Sequence, residues 1–233
     1  MKIEDVKHSV RSISRITTVV IVLLCVVFAA SGCVALGVLL SEGPFEKGIP
    51  PAYNLKEQQD RKVLVWVECP HSANADFDVQ EKLATAFKLY LVGKAGFDSE
   101  NIILSSLDDS ESLSLDIKKI ARSRGAGYLL LVQVDKYEAD YLQIRDYYAG
   151  EMISRAVLFD VDSGETLWPS QPGGKMVHVA FEMESEGRDA LVNRLTSTTA
   201  HCVLRNLYPC DKLKYKTAGE RISSQEAFEM ETY

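Results

Sequence analysis

Cys69 and His71, and the adjacent pair His201 and Cys202, are the side chains of this chain best suited to a soft metal, since thiolate and imidazole are the usual donors to zinc. Their spacing matches no common zinc pattern. Each has an ordinary reading instead: a loop after a strand for Cys69 and His71, a helix for His201 and Cys202, and an exposed strand position for His178. Asp160, Asp162 and Glu165 surround Gly164 in a stretch too short to wrap calcium, and read as a hairpin turn. Gly125 and Gly127 precede a strand rather than a helix, so they stop a helix and present no amides to a phosphate. The serines sit in no Gly-x-Ser-x-Gly elbow, and no His-Glu-x-x-His occurs. The expectation is a protein that is not an enzyme and carries no cofactor.

Two sets of residues carry a sharper reading. Tyr137, Tyr141, Tyr147 and Tyr148 bracket a loop between two predicted strands, and aromatic side chains so placed anchor protein contacts, although they also serve to cover a sheet. They are the candidate partner-binding residues. Ala29, Ala30, Ser31 and Gly32 precede Cys33 after an apolar run and a basic start, and resemble a bacterial lipobox. The resemblance implies that the Cys33 thiol is lipidated, with cleavage before it. Ala30 stands where leucine is usual, and Val34 to Leu40 stays apolar where a lipoprotein normally turns polar. The alternative is an uncleaved signal anchor in which Cys33 is a small apolar residue of the span.

Either anchor orients the chain the same way. Ile16 to Leu40 has no charged side chain, and at about 1.5 Å per residue it is long enough to cross a hydrocarbon core of about 30 Å. Lys2, Lys7, Arg11 and Arg15 precede it and Glu42, Glu46 and Lys47 follow, so the positive-inside bias keeps the start in the cytoplasm and sends the rest across, into the periplasm or its equivalent. The formal net charge is −7, and the anchor region removes more bases than acids from the remainder. Nucleic acid is therefore not an expected partner. The spread acids describe a solvated surface.

Residues 1–40 are assigned to the signal sequence or anchor, 41–59 with their glycines and prolines to a tether, 60–211 to one α/β domain, and 212–233 to a mobile polar tail. Within the domain, Arg61 to Glu68 reads as a central strand. A helix follows from an N-cap at Asp76, with Val79, Leu83 and Phe87 on one face, and stops near Gly93 and Gly96. Asn101 to Ser105 is a short strand, Ser110 to Arg124 a helix, and Tyr128 to Val134 a strongly apolar strand. This alternation favours parallel pairing through crossovers. Tyr137 to Ile144, Ala149 to Val161, Thr166 to Trp168 and Gly174 to Met183 then read as antiparallel strands, and Arg188 to Leu207 as a closing helix. The fold expected is a mixed sheet packed with three main helices.

The strand Arg61 to Glu68, the segment Gly125 to Glu138, the strand running into Asp160-Val161-Asp162-Ser163-Gly164-Glu165 and Trp168, and the last helix together resemble the CsgG and LpoB type of envelope lipoprotein domain. The resemblance spans Lys62 to about Tyr208. It implies a module of the bacterial cell envelope that binds other proteins or assembles, rather than a catalyst. A secretion section of the CsgG kind is not recognisable, so a pore is not implied. Two function classes compete: a binding or scaffolding module, and an oligomerising component of a transport or secretion assembly. Cys202 and Cys210 are expected to form a disulfide, because both lie outside the cytoplasm and the last helix ends between them; Cys69 is the other possible partner for either, or a free buried thiol.

The two anchors differ in one observable. If Cys33 is lipidated, wild type incorporates labelled palmitate and runs lighter than Cys33→Ala by residues 1–32 less its lipid. Equal mobility with no label would remove the lipoprotein reading.

Overall fold

A computed structural model describes residues 48–70, 73, 75, 77–105, 116–143 and 147–211. The anchor, Cys33, His71, Asp76 and the tail 212–233 lie outside the described residues, and among those described no helix is long and apolar enough to cross a membrane. In chain order the elements are β1 Val63–Glu68, α1 Phe77–Tyr90, β2 Ile102–Leu104, α2 Ile117–Ser123, β3 Tyr128–Leu142, β4 Tyr147–Asp160, β5 Thr166–Trp168, β6 Lys175–Glu184 and α3 Arg188–Leu204.

The sheet has six strands and is mixed, the mixed character as the sequence predicts. β1 lies parallel between β2 and β3, and β4 runs antiparallel to β3, with β5 and β6 sharing its other side. Valines in β1 explain its central place, since Val63, Val65 and Val67 face one helical layer while Leu64 and Trp66 face another. The first layer is α1 beside α3, which close the main core over Leu130, Val132, Met152, Ala156 and Val179. On the second face, among the described residues, α2 covers Leu64, Leu129 and Phe159 with Ile117, Ile120 and Ala121. The domain is thus three-layered, but only over the end where the parallel strands lie.

α3 is laid close against the sheet. Val192, Leu195, Thr199 and Val203, the face predicted to close the core, are fully buried, and the Thr199 hydroxyl donates to Met152 Sδ at 3.3 Å. Close approach requires Gly150 in β4, where a Cβ would stand 2.8 Å from Leu195 Cδ1, 2.9 Å from Leu191 Cδ2 and 3.0 Å from the Glu138 carbonyl oxygen. The helix ends at Leu204, three residues before the predicted end.

Two boundaries differ from expectation. Tyr128–Val134 and Tyr137–Ile144, expected as separate strands, form one strand, β3, continuous through a bulge between Val134 and Lys136. A bulge adds a residue and reverses the alternation, which on sequence alone imitates a break. The second difference concerns residues 48–59, assigned above to the tether. Ile49 makes an antiparallel bridge to Cys210, the amides of Ala52 and Leu55 donate to the Asn206 and Leu207 carbonyls at 2.9 Å, and Leu55 is fully buried at the start of a short 3-10 turn. The glycines and prolines here shape a docked strap. Ile49, Tyr53 and Leu55 show no strand or helix period, and only Leu55 is fully buried, which is too little signal for a core element.

If this strap belongs to the domain, Leu55→Ala will lower stability by about 2–5 kcal/mol, as for other fully buried leucines. Urea unfolding checks it; an unchanged midpoint would return the strap to the tether.

Candidate binding surface

At the end of the sheet where β1 and β3 begin, polar residues satisfy one another. Arg61 donates from Nη1 to the Tyr128 hydroxyl and to Asp160 Oδ2, both at 3.0 Å, and from Nη2 to the Gly127 carbonyl at 3.1 Å and Asp162 Oδ2 at 3.0 Å. Its guanidinium also lies 4.3 Å from the Tyr128 ring centroid. Tyr128 donates to Gln58 Oε1 at 3.1 Å and accepts from the Tyr53 hydroxyl at 3.3 Å. Burial, and then that bond to Tyr128, pushes the Tyr53 phenol up to about 12. Asp160 further accepts from the backbone amides of Asp162 and Ser163 at 2.9 Å. The Ser163 amide first, and then the Arg61 guanidinium, hold its carboxyl below the usual range despite its partial burial. The acids around Gly164 therefore form a turn clasp, with Lys118 and Arg122 of α2 donating to the Gly164 and Val161 carbonyls at 2.8 and 2.7 Å.

The opposite end is built differently. The β3–β4 ladder continues to the pair Leu142 and Tyr147, beyond Gly150 where α3 lies against it. Tyr141 and Tyr148 are paired in register, with ring centroids 5.0 Å apart. Tyr141 is 47% exposed and Leu142 41%, and Tyr147 and Tyr148 are half-buried. Three of the four predicted partner-binding tyrosines are thus gathered at one tip. Tyr137 is not available to a partner: it is 3% exposed, because the bulge turns it toward the core opposite Met152.

On the sheet face that α2 leaves open, the same tip carries acid. Glu138, Asp140, Glu151 and Glu182 line an open groove floored by Ala149, Gly150, Ala180 and Phe181. Lys136 reaches Glu138 at 3.1 Å and Glu151 at 3.6 Å, and His178 Nε2 reaches Glu151 Oε1 at 3.1 Å. The hydrogen bond to Glu138 is the main cause that raises the Lys136 ammonium above its ordinary value. Sequence reasoning missed this groove. Glu138 and Asp140 at alternate strand positions were the local signal, but Glu151 and Glu182 join them only through the ladder register and the β4–β6 pairing.

The remaining predicted residues are dispersed. Cys202 in α3 and Cys210 at the Ile49 bridge are both buried, and the structure carries them as thiols, so their disulfide stands as a proposal for mass mapping without reduction. Cys69 follows β1, where burial pushes its thiol up to about 12. His201 packs its ring 5.7 Å from that of Tyr90. Trp66 and Trp168 are buried, as packing residues should be.

No family model matches the chain, and no curated protein does. Among solved structures it is similar to the PelC dodecamer from Paraburkholderia phytofirmans, at 15% identity and a TM-score of 0.39, covering 71% of this chain and 95% of that one. Lipoprotein GNA1162 from Neisseria meningitidis matches at 15% identity and a TM-score of 0.38, covering 62% and 99%. The C-terminal domain of LpoB from Salmonella enterica matches at 18% and 0.27, covering 52% and 83%.

The clasp yields a pH prediction. Because the folded-state pKa of Asp160 lies below its unfolded value, its stabilising effect is complete above the ordinary carboxylate value of 3.8 and is lost as pH falls through the folded value. Asp160→Asn should be less stable than wild type at neutral pH, and the difference should shrink on acidification. Thermal melts across the acid range check this, and parallel profiles would contradict it.

Proposed function

We propose that this chain is a membrane-anchored, non-catalytic binding or scaffolding module on the extracytoplasmic side of a bacterial envelope membrane. It meets a protein partner with the outer end of the β3–β4 ladder. The observation that carries this reading is the tip itself, where Tyr141 and Tyr148 stand in register with ring centroids 5.0 Å apart, and where Tyr141 and Leu142, on opposite faces of the ladder, are 47% and 41% exposed. Rigid aromatic side chains offer large contact area at little entropic cost, and a tip held by a paired ladder is pre-organised to present it.

The side of the membrane rests on the charges flanking Ile16 to Leu40. The polar groups at the other end support a structural role, since Arg61, Tyr128 and Asp160 spend their hydrogen bonds on one another and on the turn.

A photo-reactive side chain placed at position 141 should crosslink to an envelope protein in intact cells, whereas one at the exposed Ser163, in the clasp, should not. Adducts at 163 only, or at neither position, would defeat the proposal.

A further inference from the structure

The outward stripe of α1 changes character along its length. Asp78, Glu81 and Thr85 are exposed at its start, as on any solvated helix face, but Leu89 is 67% exposed. Val92, in the π-helical turn Leu91–Ala95 that continues α1, is 37% exposed. Lys88 and Lys94 flank the pair, no acid falls between Lys88 and Phe97, and among the described residues neither lysine makes an ion pair. An isolated surface leucine needs no explanation; the place of this patch gives it one. α1 runs parallel to α3, since Lys82 reaches Asp189 and Tyr90 reaches Ser197, both at 3.4 Å, and the Tyr90 ring lies beside His201. Both helices therefore end on the side of the strap, whose amides donate to the Asn206 and Leu207 carbonyls just after α3. The strap also closes on α1 itself, with Gln59 Nε2 donating to the Ala95 carbonyl at 2.7 Å.

We infer that this end of the domain rests on the bilayer that holds the anchor, with Leu89 and Val92 in the headgroup region and Lys88 and Lys94 against lipid phosphates. Chain length argues for this occupant. Leu40, the last apolar residue of the predicted anchor, and Ile49 at the start of the strap are nine positions apart, and such a stretch spans at most about 30 Å when fully extended. Charge argues the same way, because a chain of net charge −7 presents its apolar, locally basic patch on the end that the anchor ties down. A second copy is disfavoured as occupant, since two such patches face to face would set lysine against lysine. β3 begins at this end, where Tyr53 donates to the Tyr128 hydroxyl, and runs to Leu142. The contact therefore turns the tip of the ladder away from the membrane, toward a partner. The inference rests on the reading of the chain as membrane-anchored and adds which end of the domain meets lipid.

The full chain can be reconstituted into vesicles of phosphatidylethanolamine and phosphatidylglycerol, with and without bromine on the acyl chains, which quenches tryptophan only on close approach. Trp66 and Trp168 are buried and supply a constant background. Leu89→Trp should be quenched, and Tyr141→Trp, at the tip, should not. Lys88→Gln combined with Lys94→Gln should weaken the contact on the order of fivefold per lysine, and raised salt should act in the same direction. No quenching at position 89, equal quenching at 141, or quenching indifferent to the two lysines would overturn the inference. Flotation with the vesicles separates its failure from that of the anchor. A chain that floats without quenching at 89 keeps the anchor and loses the lipid-facing end; one that does not float loses both.

Discussion

The β3–β4 ladder, paired through one bulge from Tyr128 and Asp160 to Leu142 and Tyr147, is the constraint on which the other elements depend. β1 and β2 extend the sheet from one side of it, β5 and β6 from the other, and α3 lies along it. Its fifteen-residue strand spans about 50 Å, whereas the seventeen residues of α3 span about 25 Å. A helix of that length cannot cover such a strand. The uncovered end is therefore a geometric consequence of element lengths, and its side chains can be chosen for something other than the core.

The two ends of the ladder use charge in opposite ways. At the clasp, Arg61 joins the loop before β1, the start of β3 and the end of β4, and the Asp160 and Asp162 carboxylates both accept from it. Such a site closes the fold and offers little to a ligand. Midway, on the open face, Arg155 and Asp135 make a two-pronged pair at 2.7 Å, which keeps that part of the sheet near neutrality. Toward the tip acids outnumber bases on the open face, while Tyr141 and Tyr148 stand on the opposite face, the one that packs on the main core.

Much of the fold was legible in the sequence, because local signals there agreed with the global structure. The valine-rich β1, the helical spacing of Val79, Leu83 and Phe87, and the buried face of α3 all follow from periodicity, and the acids around Gly164 from turn chemistry. The site was legible only in part. Tyr141, Tyr147 and Tyr148 stood out as aromatics near a loop, but the phase change that buries Tyr137 is set by a bulge that leaves no sequence mark distinct from a strand end. The groove needed long-range register, and the strap at 48–59 depends on pairing with Cys210, far along the chain. Neither relation is carried by residues close in sequence.

Hydrogen exchange of the full chain, resolved along β3 and β4, tests most directly whether one ladder runs out from under its helices. Amides from Leu130 to Val134 and from Met152 to Leu158 should exchange only through global unfolding. Those near Tyr141 and Tyr148 should exchange faster by local fraying yet remain slower than unpaired backbone. Protection as high at the tip as in the core would mean that the tip is covered, and no protection at all would mean that the ladder ends early; either result would contradict the account.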